Sequence, residues 1–145
     1  MGRISRLFFW GYALMLVGIG ASGVLIAPWE LDRVFAVPLA TLTALDQATL
    51  LNQYRFLKAL ELTFGIYCIS FRREIFRPGL EHRVFLIGPF AGVIARLGSW
   101  LVDGSPRTVF LLFLVLELIT GVLVWLQVRQ TTGQTLPEQA RGHPP

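Results

Sequence analysis

Leu50–Arg73 constrains the fold most, because it has the length of a membrane span and yet carries charges. Residues Ala59–Phe71 are apolar enough for a bilayer core, while Arg55, Lys58 and Glu61 lie in the first half of the stretch. Their spacing of three residues places them on one helical face. A charge at bilayer depth costs about 2.5–3.5 kcal/mol and rarely faces lipid. The other apolar segments must therefore shelter this face.

Composition indicates a polytopic membrane protein. Of 145 residues, 54% are hydrophobic and 15% are charged, and the mean hydropathy is +0.60, against about 25% charged residues in soluble proteins. The net charge of +4 comes from arginines at the ends of apolar segments, a pattern of topology signals that argues against nucleic-acid binding. The single cysteine, Cys68, excludes an internal disulfide and a CxxC site, and no metal or cofactor is expected.

The apolar segments predict an all-α, four-transmembrane-helix bundle that forms a single domain over residues 1–128. A short helix at the membrane interface is predicted for Leu39–Leu51, in the first outer loop. Residues 129–145 are polar and predict a disordered cytoplasmic tail. The predicted spans are residues 7–27, 50–73, 84–102 and 108–128.

The first apolar run has two interpretations. Arg3 and Arg6 precede it, and Ala21-Ser22-Gly23 is a candidate site for signal cleavage. The run continues to Ala27, which is long for a signal peptide, so a retained helix is favoured. The stripe of Gly11, Gly18 and Ser22 predicts close contact with another helix.

The distribution of Lys and Arg predicts the orientation. The N-terminus, the turn between the second and third spans, and the tail hold two, four and two of these residues. The first and third connections hold only Arg33 and Arg107. The positive-inside rule then places both termini in the cytoplasm.

Five intramembrane charges on three helices are predicted to lie at similar depths. If all five faced lipid, the cost would be about 12–17 kcal/mol, so we expect them to meet inside the bundle. Glu61 and Glu117 would accept hydrogen bonds from Arg96 and Lys58. The remaining charge is Arg55, and Asp103 lies at the outer rim.

A glycine lies four residues from three of these charges: Gly65 after Glu61, Gly92 before Arg96, and Gly121 after Glu117. Gly88 and Gly92 form a GxxxG pair. These four glycines predict close helix packing in the inner half. A wider, charged pocket would then open towards the outer leaflet, with a preference for an anionic headgroup or ligand. The residues assigned to this hypothetical site are Asn52, Arg55, Lys58, Glu61, Arg96, Asp103 and Glu117. A structural alternative is that the ion pairs only specify how the helices dock.

Two stretches, NQYRFLKALELTFGIY and ARLGSWLVDGSPRTVFLLFLVLELITGV, resemble a bacterial family of small four-helix membrane proteins, domain of unknown function 4345 (DUF4345). The shared pattern is an Asn-x-x-Arg start to the second helix, at Asn52 and Arg55, followed by Arg…Asp-Gly…Glu. The resemblance covers roughly residues 7–128. The chain departs from the pattern at Lys58 and Glu61, where small or apolar residues are expected. The family has no established activity, so the resemblance supports the fold alone.

The sequence, with this resemblance to a bacterial family, therefore favours a non-enzymatic integral protein of a bacterial inner membrane, either an accessory subunit or a binder of lipid or a small ligand. No base–nucleophile pair or metal cluster indicates an enzyme. The expected partners are membrane lipids and a homo-oligomer or larger membrane complex. The alternative is a small oligomeric transporter or proton-coupled carrier in which Glu61 or Glu117 titrates.

Overall fold

The computed structural model describes residues 2–139, and the side chains of residues 2–132. This part of the chain contains five α-helices and no β-strand, as the all-α prediction requires. The helices are α1 (Gly2–Leu25), α2 (Ala27–Trp29), α3 (Ala44–Ser70), α4 (Leu80–Asp103) and α5 (Thr108–Gln139).

Three of these helices are long and apolar enough to cross a membrane: Gly2–Leu25, Leu80–Asp103 and the Thr108–Thr132 part of α5. Large apolar side chains on them are exposed, among them Leu101 at 88% and Leu112 at 65%. Such surfaces suit a lipid solvent. α3 is long enough but too charged to meet the same composition criterion.

Polar and proline-containing turns set the helix ends. Thr43 Oγ1 accepts a hydrogen bond from the Asp46 backbone N–H (3.2 Å) and donates one to Asp46 Oδ2 (2.6 Å). This reciprocal cap starts α3. α4 ends at Asp103, and the φ of +94° at the next residue, Gly104, lies in the left-handed region that favours glycine.

The first outer loop differs from its prediction. Leu39–Thr41 forms one 3₁₀ turn, and Ala44 already belongs to α3. The predicted interfacial helix at Leu39–Leu51 is wrong as a separate element, because the Thr43 cap joins most of it to α3. Ala27–Trp29 and the π-helical turn Glu30–Val34 occupy the start of this loop instead.

The chain forms two compact units. In the middle unit (Ala13–Ser70), α1 and α3 approach closely: a Cβ on Gly20 would lie 2.5 Å from the Leu62 backbone nitrogen. A Cβ on Gly65 would lie 2.9 Å from the Val17 backbone nitrogen. The predicted contact stripe is therefore wrong at Gly18, which has open space around it, as has Gly11. The partner helix meets the neighbouring face of α1, which carries Gly20.

The terminal unit (Met1–Tyr12 with Phe71–Pro145) contains antiparallel α4 and α5, joined by a short proline-containing turn. Phe9 and Phe85 are fully buried, and their ring centroids lie 5.5 Å apart. α5 continues to Gln139, so residues 129–139 are helical where the sequence predicts a disordered tail. The rest of the predicted tail, 140–145, lies outside the described residues.

Candidate functional site

A buried carboxylate in the middle unit joins three segments of the chain. Glu30 Oε1 accepts a hydrogen bond from Ser22 Oγ of α1 (2.6 Å), and Oε2 accepts one from Tyr54 Oη of α3 (2.7 Å). Glu30 is only 8% exposed. The two hydroxyl donors replace the water that burial removes, so the carboxylate is stabilised and fixes the loop against both helices.

Lys58 and Glu61 form an ion pair beside this carboxylate. Lys58 Nζ lies 2.8 Å from Glu61 Oε2 and 5.3 Å from the centre of the Tyr54 ring. The Lys58 side chain is 5% exposed and that of Glu61 is 25% exposed. Glu61 was expected to accept from a base where the helices meet. Its partner in the structure is Lys58 on the same helix, because residues three apart on a helix are neighbours.

Gly23 gives Lys58 and Glu30 their space. A Cβ at Gly23 would clash with Lys58 Cγ and lie 2.9 Å from Glu30 Oε2. The absent side chain lets the aliphatic stem of Lys58 pass directly over α1. Gly23 therefore belongs to the site.

Arg55 and Asn52 are placed differently from the other charges of α3. Both are exposed, and neither side chain forms a hydrogen bond or ion pair with any described residue. The structure thus separates the predicted α3 residues into an internally paired set, Lys58 and Glu61, and an outward-facing set, Asn52 and Arg55.

The terminal unit contains a second ion pair, between two of the predicted site residues. Arg96 Nε donates to Glu117 Oε2 (3.1 Å) and Arg96 Nη2 donates to Glu117 Oε1 (3.3 Å), a two-bond fork between α4 and α5. The guanidinium also lies 5.9 and 5.7 Å from the ring centres of Phe110 and Phe113. Two hydrogen bonds and two aromatic faces stabilise this charge away from water.

The predicted rim residue Asp103 does not join that pair. It is exposed, and its Oδ2 accepts a hydrogen bond from Ser99 Oγ (2.8 Å) on the same helix. Asp103 is the last residue of α4 and directly precedes Gly104. Its observed side-chain contact therefore lies within α4.

The predicted packing glycines have different neighbours. Gly65 faces Leu16 and Val17 of α1, while a Cβ at Gly92 would lie 2.8 Å from Glu117 Oε2. A Cβ at Gly121 would lie 3.3 Å from Cζ of the Phe90 ring. Gly88 is half-buried. Gly92 therefore makes room for a carboxylate, whereas Gly65 permits close backbone approach.

Sequence reasoning did not assign Glu30, Tyr54, Ser22 or Gly23 to a site. Glu30 lies in the longest connection, where an acidic residue is expected to face water. Only the fold of the connection brings it against α1 and α3. The available signal was the stripe of Gly20 and Gly23, three residues apart on α1. Among the described residues, no group of His, Cys, Asp or Glu is arranged to hold a metal ion.

Comparison with known proteins gives one positive result. The family model described as "Domain of unknown function (DUF4345)" matches residues 4–127, which are most of the chain. No curated protein and no solved structure matches the chain significantly.

Proposed function

Because the chain belongs to the DUF4345 family, a domain of unknown function, we propose its role from its own side chains. It is a non-enzymatic integral membrane protein that binds the anionic headgroup of a lipid at an outer charged site centred on Arg55. The observation that carries this proposal is the contrast on α3 between paired, buried Lys58 and exposed Arg55, which has no described partner.

The proposed site requires four membrane crossings. α3 is the fourth crossing, in addition to the three apolar helices, and both termini lie in the cytoplasm of a bacterial cell. Its 27 residues have a length of about 40 Å, more than the roughly 30 Å of a hydrocarbon core. The pairing of Lys58 with Glu61 supports a crossing, because it removes two charges from contact with lipid.

The depth of Arg55 then favours a headgroup. In this orientation α3 runs inwards, so Asn52 and Arg55 belong to its outer third. The guanidinium of Arg55 can extend along the helix to the headgroup level. Its planar fork suits the oxygens of a phosphate, and the amide of Asn52, three residues earlier on the same face, supplies another donor.

The other predicted site residues support this contact indirectly. Lys58 forms a hydrogen bond with the carboxylate of Glu61. This carboxylate is therefore paired and does not neutralise Arg55. Arg96 and Glu117 bind each other and fix α4 against α5. In this proposal the ion pairs hold the helices in place, and Arg55 provides the free charge.

Native mass spectrometry of the protein from nanodiscs tests the proposal. The nanodiscs contain equal amounts of phosphatidylglycerol and phosphatidylcholine, and retained lipid is measured for the wild type, Arg55→Gln and Arg107→Gln. Arg107 is an exposed arginine outside the helices and is the matched control. We expect the wild type and Arg107→Gln to retain phosphatidylglycerol and Arg55→Gln to lose most of it.

Equal retention of phosphatidylglycerol by all three proteins would contradict lipid binding at Arg55. A second protein chain, retained in fixed ratio by the wild type and lost from Arg55→Gln, would identify the chain as an accessory subunit instead. Two or more copies retained in the same way would identify a homo-oligomer held together at Arg55.

A second candidate function is proton-coupled transport. The Glu61 side chain is 25% exposed while its partner Lys58 is 5% exposed, so the carboxylate links a buried ammonium group to the surface. Glu117, at 9% side-chain exposure, is the other candidate carrier of a proton. Proton flux into liposomes containing a pH-sensitive dye separates the functions. Transport requires a flux that Glu61→Gln or Glu117→Gln abolishes and that Glu74→Gln, at an exposed acid in a turn, leaves unchanged.

A further inference from the structure

A pocket of about 410 Å³ in the terminal unit brings together basic residues that are far apart in the sequence. Three arginines come from the turn after α3 and one from the start of α1. Small-ligand pockets have volumes of about 300–1,000 Å³, so this one has room for a phosphate-sized group and its substituents. The four residues are Arg6, Arg72, Arg73 and Arg77.

Aromatic side chains also line the pocket, and two of them connect α1 to the turn after α3. Phe9 of α1 is buried, and its ring lies edge-on to that of Phe76 at 5.2 Å between centroids. Trp10, on α1 one turn after Arg6, also lines the pocket and is 37% exposed. The arginines therefore border a fixed aromatic surface.

The turn that carries three of the arginines is itself well anchored. Ile75 at its centre is fully buried, and its backbone oxygen lies 2.9 Å from Nδ1 of His82. The backbone N–H of Ile75 donates to the oxygen of Phe71 (2.9 Å), and that of Arg77 donates to the oxygen of Glu74 (2.9 Å). These bonds hold the guanidinium groups on a preorganised turn, which lowers the entropic cost of binding.

The charge of the pocket points to an anion. Among the residues whose side chains are described, no carboxylate lines it, and Arg6, Arg73 and Arg77 form no ion pair. Like charges brought together repel, and a bound anion relieves that repulsion. The positive-inside rule explains arginines on this side of a membrane, but it does not require them to converge on one concave surface.

We propose that this arginine pocket binds a phosphate group, from either a lipid headgroup or free phosphate. The planar guanidinium fork matches phosphate oxygens in pairs. The pocket shares no residue with the Arg55 site, and in the proposed orientation it lies at the cytoplasmic surface. It therefore goes beyond the function proposed above, and each site is open to test without the other.

Trp10 is a natural reporter for this pocket. The chain has four tryptophans, so replacing Trp29, Trp100 and Trp125 with Phe leaves Trp10 alone. In nanodiscs, brominated phosphatidylglycerol should quench Trp10 at least twofold more than brominated phosphatidylcholine. Arg73→Gln and Arg77→Gln should each remove the difference, and exposed Arg83, which does not line the pocket, gives the control Arg83→Gln.

Inorganic phosphate distinguishes the two sources. In phosphatidylcholine nanodiscs, a saturable change in Trp10 emission that Arg73→Gln abolishes would identify free phosphate. Selective quenching by phosphatidylglycerol with no response to phosphate would identify a lipid headgroup. Equal quenching by the two lipids with no response to phosphate would overturn the proposal. Arg55→Gln should leave every one of these readings unchanged, so failure of the outer site is separable from failure of this pocket.

Discussion

At Gly20 the backbones of α1 and α3 approach each other very closely within the middle unit. A Cβ there would lie 2.5 Å from the backbone nitrogen of Leu62 and 2.8 Å from its Cα. Backbone atoms cannot rotate away as a side chain can. Any side chain at position 20 must therefore move one helix.

We predict that Gly20→Ala lowers the stability by about 1–3 kcal/mol, as overpacking does elsewhere. Gly18→Ala on the same helix has nothing within 4 Å and should be neutral or slightly stabilising, since alanine favours helix. The thiol of Cys68, the sole cysteine and fully buried, gives the measurement through its labelling by a thiol-reactive dye during heating in detergent. Equal melting temperatures for the two variants would contradict the close approach.

Individual residues were predictable where chemistry alone limits the partner. Arg96 and Glu117 are isolated charges in otherwise apolar helices joined by a short turn, so each had to find the other. Glu30 was not predictable, because its burial depends on the path of a connection rather than on its neighbours in sequence. The contact at Gly20 was not predictable for a related reason: the face of α1 that packs depends on where α3 lies.

The beginning of α3 depends on a single hydroxyl group. Thr43 Oγ1 accepts the backbone N–H of Asp46, which the first helical turn leaves without a partner. Thr43→Ala should cost about 1 kcal/mol and increase amide hydrogen exchange in the first turn of α3. Thr49→Ala, which removes an exposed hydroxyl bonded to the Leu45 oxygen inside α3, should leave exchange there unchanged. Equal rates of amide hydrogen exchange in the two variants would show that the Thr43 hydroxyl does not stabilise the first turn of α3.

The helices were predictable to the extent that apolar runs are continuous. α1, α4 and α5 each contain such a run, and each is observed near its predicted place. The structure of the loop before α3 was not predictable, because its apolar spacing fits both a separate interfacial helix and the first turns of a longer helix. The Thr43–Asp46 cap decides for the longer helix.

The path of the entire chain through the bilayer is testable by cysteine labelling. In a Cys68→Ala background, Thr41→Cys and Ser105→Cys should react with a membrane-impermeant maleimide in intact spheroplasts. Glu74→Cys should react only after permeabilisation, because the proposed crossing by α3 puts it on the cytoplasmic side. Reaction of Thr41→Cys and Glu74→Cys from the same side would show that α3 does not cross.

Gly92 and Glu117 have a consequence for how this sequence can diverge. The carboxylate occupies the space that a side chain at position 92 would need, and Arg96 holds it there by two hydrogen bonds. Relatives that carry alanine or a larger residue at position 92 should therefore have a residue shorter than glutamate at position 117. Where that shorter residue is uncharged, the guanidinium of Arg96 loses its anion, so Arg96 should change in the same lineages.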